Sequence, residues 1–113
     1  MGCCRVSLVQ PLPTGMTRAR LDALVGEQIY RQSCVVCHGE KGDGQTPLGQ
    51  SLVPRPRDFT RAQEMAAISD RQLAQVIAGG SPGTAMAPWR GVLNSEDIRR
   101  VILFIRQTFL RAP

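Results

Sequence analysis

The sequence predicts an all-α fold of three to five helices joined by two long loops. Apolar residues recur at three- and four-residue steps in several separate segments, which is the spacing of one helix face. No segment shows sustained alternation of apolar and polar residues, so strands have little support. With 113 residues the chain fits one domain. We expect residues 1–17, which lack periodicity and carry prolines, to form a flexible tail before a domain over 18–113.

The first predicted helix runs from Arg18 to Ser33, with Thr17 placed to cap its N-terminus. Four aliphatic residues recur at the spacing of one face: Leu21, Leu24, Val25 and Ile29. Gly26 lies inside this helix, where glycine costs about 1 kcal/mol relative to alanine. Its presence suggests the close approach of another backbone or ring.

A loop is predicted after this helix. Residues 39–56 are rich in glycine and proline, and we expect turns and no regular helix there. A short helix is then predicted over 59–67.

Two more helices complete the pattern. Ser69 and Gln72 have the spacing of a capping box, ahead of a helix over 70–78. Two glycines end that helix, and a second glycine- and proline-rich loop follows over 81–91. The last helix is capped by Asn94, and its apolar face consists of Ile98, Val101, Ile102, Ile105 and Phe109. Loops this long in a compact domain usually need a group that organises them.

The chemistry-bearing residues follow the first helix directly, as Cys34-Val-Val-Cys37-His38. This is the haem-attachment pattern, in which two thiols add to the vinyl groups and the histidine nitrogen ligates iron. Positions three and four apart share one face of a helical turn, so both sulfurs and the imidazole can meet the same macrocycle. The pattern predicts one covalently attached haem c, with Cys34, Cys37 and His38 as cofactor-binding residues and His38 as an iron ligand.

Three alternatives use the same residues. A thioredoxin-like redox pair would follow a strand, whereas an amphipathic helix precedes these cysteines. A zinc site could draw on Cys3, Cys4, Cys34, Cys37 and His38, but two of these would be adjacent on a tail. A plain disulfide between Cys34 and Cys37 would leave His38 as a surface residue.

The second ligand of the iron is sought among the methionines, because the chain has one histidine. Met1 and Met16 lie on the tail, and Met65 lies in a short predicted helix where core packing is its ordinary role. Met86 lies in the loop between the last two helices, which can reach the haem face opposite His38. We therefore predict Met86 as the second iron ligand, with Met65 and an open site as alternatives. An open site would favour gas binding or peroxidase chemistry.

The positive charge of the chain indicates which classes of binding partner to expect. The formal net charge is +5, and thirteen of the fourteen cations are arginines scattered along the chain. No basic run is interleaved with aromatic residues, so nucleic-acid binding is not expected. The charge fits either a solvated surface or steering toward an acidic docking face on a redox partner.

The lengths of the apolar stretches indicate whether the chain has a membrane-spanning segment or an export signal. No apolar stretch approaches the roughly 18 residues of a membrane-spanning helix, so no transmembrane segment is expected. No export signal is visible near the N-terminus either.

Six stretches between about residues 20 and 110 resemble the class I cytochrome c family, in particular its small bacterial monohaem members. They are GEQIY at 26–30, CVVCHG at 34–39, GDG at 42–44, PRPRDF at 54–59, GTAM at 83–86 and LNSEDI at 93–98.

This resemblance implies a cytochrome c fold, with helices wrapped around one covalently bound haem. It implies a single-electron carrier and not an enzyme, with iron held by His38 and Met86, working between larger redox proteins of a respiratory or related chain. The chain would be a monomer or a subunit. The alternative function is a haem c subunit or module that relays electrons within an oxidoreductase complex.

Three further expectations come with the resemblance. The first and last helices would cross in contact, with Phe104 or a neighbour packing at Gly26. A proline carbonyl in the loop after the motif would accept the second N–H of His38, and Pro47 is our candidate. Haem c is attached outside the cytoplasm, so the expected location is the periplasm or the exterior of the cell envelope.

Overall fold

The structure, a computed structural model, describes residues 12–110. Within that range the chain forms six α-helices and no strand: α1 (Arg18–Ser33), α2 (Val35–His38), α3 (Pro47–Ser51), α4 (Ala62–Ala66), α5 (Asp70–Gly79) and α6 (Ser95–Phe109). The all-α prediction is confirmed. There are six helices, more than the three to five predicted, because α2, α3 and α4 are segments of four or five residues that periodicity does not resolve.

Helix α1 has the bounds that the sequence predicts. The Oγ1 atom of Thr17 accepts the backbone N–H of Arg20 at 3.0 Å, which satisfies one of the unpaired donors of the first turn. The predicted tail over residues 1–17 falls mostly outside the described residues. Its last part, residues 12–17, forms a turn in which the N–H of Met16 donates to the carbonyl of Pro13 at 2.9 Å.

The crossing of α1 and α6 is the most extensive helix interface within the described chain. A Cβ atom on Gly26 would overlap the backbone carbonyl of Arg100 and come within 3.0 Å of the Cβ of Phe104. The predicted contact at Gly26 is therefore confirmed, and glycine is required because the two backbones touch.

A buried ion pair lies in the same crossing. Asp22, on α1, is 5% exposed. It accepts hydrogen bonds from Nε of Arg100 at 2.9 Å and from Nη2 of Arg99 at 3.0 Å, both on α6. These bonds hold the pKa of the Asp22 carboxyl below its ordinary value, the bond to Arg100 contributing most. The carboxylate therefore stays charged inside the interface.

The expectation of no helix over residues 39–56 is wrong, because α3 forms there. Thr46 caps it by accepting the N–H of Gly49 at 2.8 Å, and Pro47 occupies the first helical position, where proline loses no hydrogen bond. The short helix predicted over 59–67 is present as α4 but starts at Ala62. Residues 58–60 instead form a turn in which Asp58 Oδ1 accepts the N–H and the hydroxyl of Thr60.

Both later capping predictions are confirmed. Ser69 and Gln72 form a reciprocal capping box at the start of α5, and Asn94 and Asp97 form another at the start of α6. Helix α5 extends to Gly79, one residue beyond the predicted end, and Gly80 follows with φ of 78°.

Arg106 joins the end of α6 to the connection between α4 and α5. Its guanidinium donates to the carbonyls of Met65 at 3.1 Å and Ile68 at 2.6 Å, and its Nε bonds Asp70 at 2.5 Å. One side chain thus satisfies two backbone acceptors at a helix end and fixes the start of α5.

The core gathers the apolar faces of α1, α5 and α6 around Tyr30 and Met65, which are 2% and 0% exposed. None of the helices within residues 12–110 combines the length and apolar content that a bilayer crossing requires.

Candidate haem site

The two cysteines and the histidine lie on one turn, at the end of α1 and in α2. The carbonyl of Cys34 accepts the backbone N–H of His38 at 3.0 Å and that of Cys37 at 3.3 Å. Both cysteines are free thiols and half-buried. This turn presents two sulfurs and one imidazole together, as the spacing predicts.

The Cys34 thiol is not tuned for redox exchange. Burial raises the pKa of the Cys34 thiol to about 11, and the neighbouring Cys37 adds to the effect. A redox-active pair has a lowered pKa so that a thiolate is present at neutral pH. Since helix α1 and not a strand directly precedes the motif, the environment of Cys34 argues against the thioredoxin-like alternative.

The zinc and disulfide alternatives find no support in residues 12–110. No group of three or more His, Cys, Asp or Glu side chains is placed there to hold a bare metal ion. Cys3 and Cys4, on which the zinc alternative depends, lie outside the described residues. Cys34 and Cys37 are not joined by a disulfide.

The imidazole of His38 is held by a backbone carbonyl. Its Nδ1 lies 3.2 Å from the carbonyl oxygen of Arg57. Since a carbonyl only accepts, this hydrogen bond places the proton on Nδ1 and leaves a lone pair on Nε2. Burial lowers the pKa of His38, so the neutral form that ligates a metal is favoured.

Nε2 of His38 is the ligating atom available to a cofactor. It has no hydrogen-bond partner among the described residues, and no side-chain nitrogen or oxygen in that part of the chain is both fully buried and unpaired. Nε2 is therefore not fully enclosed by protein atoms. Two thiols on the same turn and an available imidazole nitrogen form a donor set that fits haem c.

The carbonyl that holds His38 differs from the predicted one. Pro47 was the candidate, but it begins α3, so its carbonyl belongs to a helical turn. The acceptor is Arg57, nineteen positions beyond His38. Arg57 lies in the PRPRDF stretch, and no local pattern marks which carbonyl of an irregular loop will face a distant imidazole.

Sequence reasoning also missed Phe59. Its ring stacks on the imidazole of His38 with a centroid distance of 4.3 Å and an angle of 14° between the planes. Phe59 is 6% exposed, and its backbone N–H donates to the carbonyl of Gly42 at 2.7 Å. Residues 57–59 thus contact the imidazole through both a backbone acceptor and a ring.

The loop after His38 is folded back onto the attachment turn. The hydroxyl of Thr46 donates to the carbonyl of Val36 at 2.9 Å, and the N–H of Gly44 donates to the carbonyl of His38 at 2.8 Å. A Cβ on Gly49 would lie 2.5 Å from the carbonyls of Cys37 and Gly44, so α3 packs directly on α2. Helix α3, which the sequence analysis did not expect, therefore supports the attachment turn.

Met86 lies in the connection between α5 and α6, and this loop is closed by its own hydrogen bonds. The N–H of Ser81 donates to the carbonyl of Met86 at 3.1 Å. The hydroxyl of Thr84 donates to the carbonyl of Ser81 at 2.7 Å and accepts the N–H of Met86 at 3.1 Å. The loop has a defined shape around Met86.

The base of this loop is tied to the end of α5. The N–H groups of Trp89 and Arg90 donate to the carbonyls of Ile77 and Ala78 at 2.9 and 3.1 Å. An open cavity of about 410 Å³ is lined by residues 79–88, with Met86 half-buried among them. No residue of the Cys34–His38 turn lines it.

The structure thus brings Cys34, Cys37 and His38 together on one turn, while Met86 lies on a separate loop. Met65, the alternative ligand, is fully buried in the core at 0% exposure.

Comparison with known proteins places these features in context. The model of the family described as cytochrome c oxidase, cbb3-type, subunit III matches residues 21–105. Cytochrome c55X of Paracoccus denitrificans is 33% identical over 90 residues, which cover 80% of this chain and 76% of that protein.

A second relative is much longer than this chain. The cbb3-type cytochrome c oxidase subunit FixP of Bradyrhizobium diazoefficiens is 28% identical over 89 residues, which cover 79% of this chain and 28% of FixP. Among solved structures, the KustC0563 c-type cytochrome superposes with a TM-score of 0.67 at 30% identity, covering 76% of this chain and 98% of that one.

Proposed function

This chain belongs to the cytochrome c family that includes subunit III of the cbb3-type oxidase, and it carries covalently bound haem c in an electron-transfer role. From that premise we propose that it is a single-electron carrier whose iron is held by His38 and Met86. It passes electrons between larger redox proteins of a respiratory or related chain, outside the cytoplasm.

The attachment turn is the observation that carries this proposal. Cys34 and Cys37 supply the two thioether sulfurs, and His38 supplies Nε2 while the Arg57 carbonyl fixes Nδ1 at 3.2 Å. A ligand imidazole whose other nitrogen donates a hydrogen bond is more basic and has its tautomer fixed. When bound, the haem iron supplies a one-electron couple, and the protein residues hold it and limit its solvent access.

Met86 is proposed as the second ligand on the basis of its setting. It lies half-buried on a hydrogen-bonded loop beside open space, whereas Met65 has every side-chain atom inside the core. To leave the core, Met65 would have to open a cavity at α4, with a cost of about 2–5 kcal/mol. A methionine sulfur favours Fe(II), so it raises the reduction potential relative to bis-histidine ligation.

Covalent attachment is tested first. The chain, with an export signal added, is expressed in a host that matures c-type cytochromes and then extracted with acid acetone. We expect haem to stay on the polypeptide, and Cys34→Ala combined with Cys37→Ala to release it. A colourless wild-type polypeptide would contradict the proposal.

Ligation by Met86 is tested on the oxidised holoprotein. Met86→Ala is expected to abolish the sulfur-to-iron charge-transfer band and to let the ferrous protein bind carbon monoxide rapidly at neutral pH. Met65→Leu keeps the core filled and is the control that retains the band. Loss of the band in Met65→Leu and not in Met86→Ala would reverse the assignment. Rapid carbon monoxide binding by the wild type would favour an open, gas-binding site instead.

A second candidate function is a haem c subunit or module of an oxidoreductase complex. The match to FixP favours it, because this chain spans 28% of a protein named as an oxidase subunit. Purification from the native membrane and periplasmic fractions distinguishes the two functions. If the protein purifies in a stable stoichiometric complex with a catalytic chain, it is a subunit. If it purifies as a monomer from the periplasmic fraction, it is a diffusing carrier.

A further inference from the structure

We propose that Phe59 is a positioning residue that sets the plane of the His38 imidazole and, through it, the orientation of the axial ligand on the iron. This inference rests on the proposed function, since it takes His38 as an iron ligand.

The hydrogen bond from Nδ1 does not prevent the imidazole ring from rotating about its Cβ–Cγ bond. At 3.2 Å the bond to the Arg57 carbonyl lies at the long end of N–H···O distances, and a carbonyl accepts over a broad range of directions. The χ2 torsion of histidine is also broad, because it joins an sp³ to an sp² carbon. The ring can therefore rock about its Cβ–Cγ bond while the hydrogen bond persists.

The Phe59 ring removes that freedom. It lies against one face of the imidazole at 4.3 Å, and the two planes are 14° apart. A parallel contact at this distance leaves no space for the imidazole to rotate toward Phe59, and rotation away would open a gap in a buried region. The imidazole plane is thus defined by the plane of Phe59.

Phe59 is itself held in place from two directions. Its N–H donates to the carbonyl of Gly42, and its ring lies 6.5 Å from that of Tyr30 and 6.2 Å from that of Phe109. Tyr30 is anchored in turn, because its hydroxyl donates to the carbonyl of Gly39 at 2.6 Å. The orientation of the imidazole is therefore tied to α1 and α6, which carry Tyr30 and Phe109.

The orientation of an axial imidazole has a spectroscopic consequence. In a low-spin ferric haem, the plane of the imidazole and the orientation of the second ligand together would set which iron d orbital holds the unpaired electron, and so how spin density spreads over the four ring methyl groups. A residue that contacts only the ligand can thus change the electronic properties of the metal.

The test compares Phe59→Leu with Phe104→Leu in the ferric holoprotein. Phe104 belongs to the same aromatic cluster, 5.4 Å from Tyr30 and 5.9 Å from Phe109, and forms no aromatic pair with His38 among the described residues. We expect Phe59→Leu to change the order or spread of the hyperfine-shifted haem methyl resonances and to shift the largest electron paramagnetic resonance g value. Phe104→Leu should keep the wild-type pattern. Equal spectra for the two variants would overturn the proposal.

A measurement on the wild type covers the case in which Phe59→Leu does not fold. We expect nuclear Overhauser contacts between the ring protons of Phe59 and those of the coordinated imidazole, and their absence would overturn the proposal. A wild-type spectrum without signals of a coordinated imidazole overturns the axial role of His38 as well. If those signals are present and Phe59→Leu leaves them unchanged, only the positioning role is wrong.

Discussion

Gly26 of α1 lies directly against the backbone carbonyl of Arg100 in α6, with no space between them for a side chain. The two longest helices can approach this closely only because one of them carries no Cβ at the crossing.

Gly26→Ala is expected to lower the free energy of unfolding by about 1–3 kcal/mol, because the helices must separate to admit a methyl group against a backbone atom. Urea denaturation checks this. Gly91→Ala is the control, since no atom lies within 4 Å of a Cβ at that position and its φ is not positive. An equal loss in both variants would show that backbone packing at Gly26 is not the cause.

Asp22→Asn is expected to cost about 2–4 kcal/mol at pH 7, because two arginines lose the carboxylate that they share inside the interface. The folded pKa of Asp22 lies below its ordinary value of 3.8. Its stabilising contribution is therefore complete above that value and is lost as the pH falls through the folded pKa.

Denaturation of the wild type and of Asp22→Asn between pH 2 and 7 measures this dependence. The difference between the two should shrink at the acidic end. Glu40→Gln is the control, because it removes an ion pair with Arg31 in which both side chains are at least half exposed, at 70% and 53%. Such pairs contribute about 0–1 kcal/mol. A difference for Asp22→Asn that stays constant down to pH 2 would contradict the assignment.

Thr84→Val is expected to weaken the proposed ligation by Met86, since the hydroxyl of Thr84 both donates to the carbonyl of Ser81 and accepts the N–H of Met86. Loss of these bonds corresponds to about 1 kcal/mol, or roughly a fivefold larger fraction of detached ligand. The rate of carbon monoxide binding to the ferrous holoprotein reports that fraction. Thr84→Ser, which keeps the hydroxyl, should restore the wild-type rate, and the idea fails if Thr84→Ser and Thr84→Val bind at the same rate.

Arg106→Met is expected to lower the free energy of unfolding by about 1–3 kcal/mol, because the partly buried carbonyl of Ile68 loses its donor and that of Met65 keeps only the N–H of Ile68. Arg106→Lys should recover only part of this, since an ammonium cannot reproduce the forked geometry of a guanidinium. Thermal unfolding followed by circular dichroism provides the measurement. Arg61→Gln is the control and should change little, because the Arg61 side chain is 64% exposed and its ion pairs with Asp58 and Glu64 are long, at 3.6 Å.

The parts of the fold that local patterns determine were predictable. Thr17 and Ser33 bound α1 as expected, and the capping pairs that start α5 and α6 were identified from spacing alone. A cap depends on residues three positions apart, so its signal is local. Helix α3 was missed because glycines and prolines around it mask the Thr46–Pro47 start.

In the candidate site, too, the residues that are close in sequence were predictable and the distant ones were not. Cys34, Cys37 and His38 lie within five positions, so their approach follows from one helical turn. Arg57 and Phe59 contact His38 from about twenty positions away, through a loop without periodicity. No spacing rule predicts which atom of such a loop meets the imidazole, since the packing of the whole domain decides it.

The crossing of α1 and α6 also shapes how the chain folds. Asp22 and Arg100 are 78 positions apart, so the largest interface closes a loop that includes most of the domain. Helical proteins usually fold quickly because their contacts are local, but here the entropy of closing that loop is lost before the interface forms. The backbone hydrogen bonds of the turn that carries Cys34, Cys37 and His38 join residues that are close together in sequence. The turn can therefore form in a nascent chain before the last helix has been synthesised.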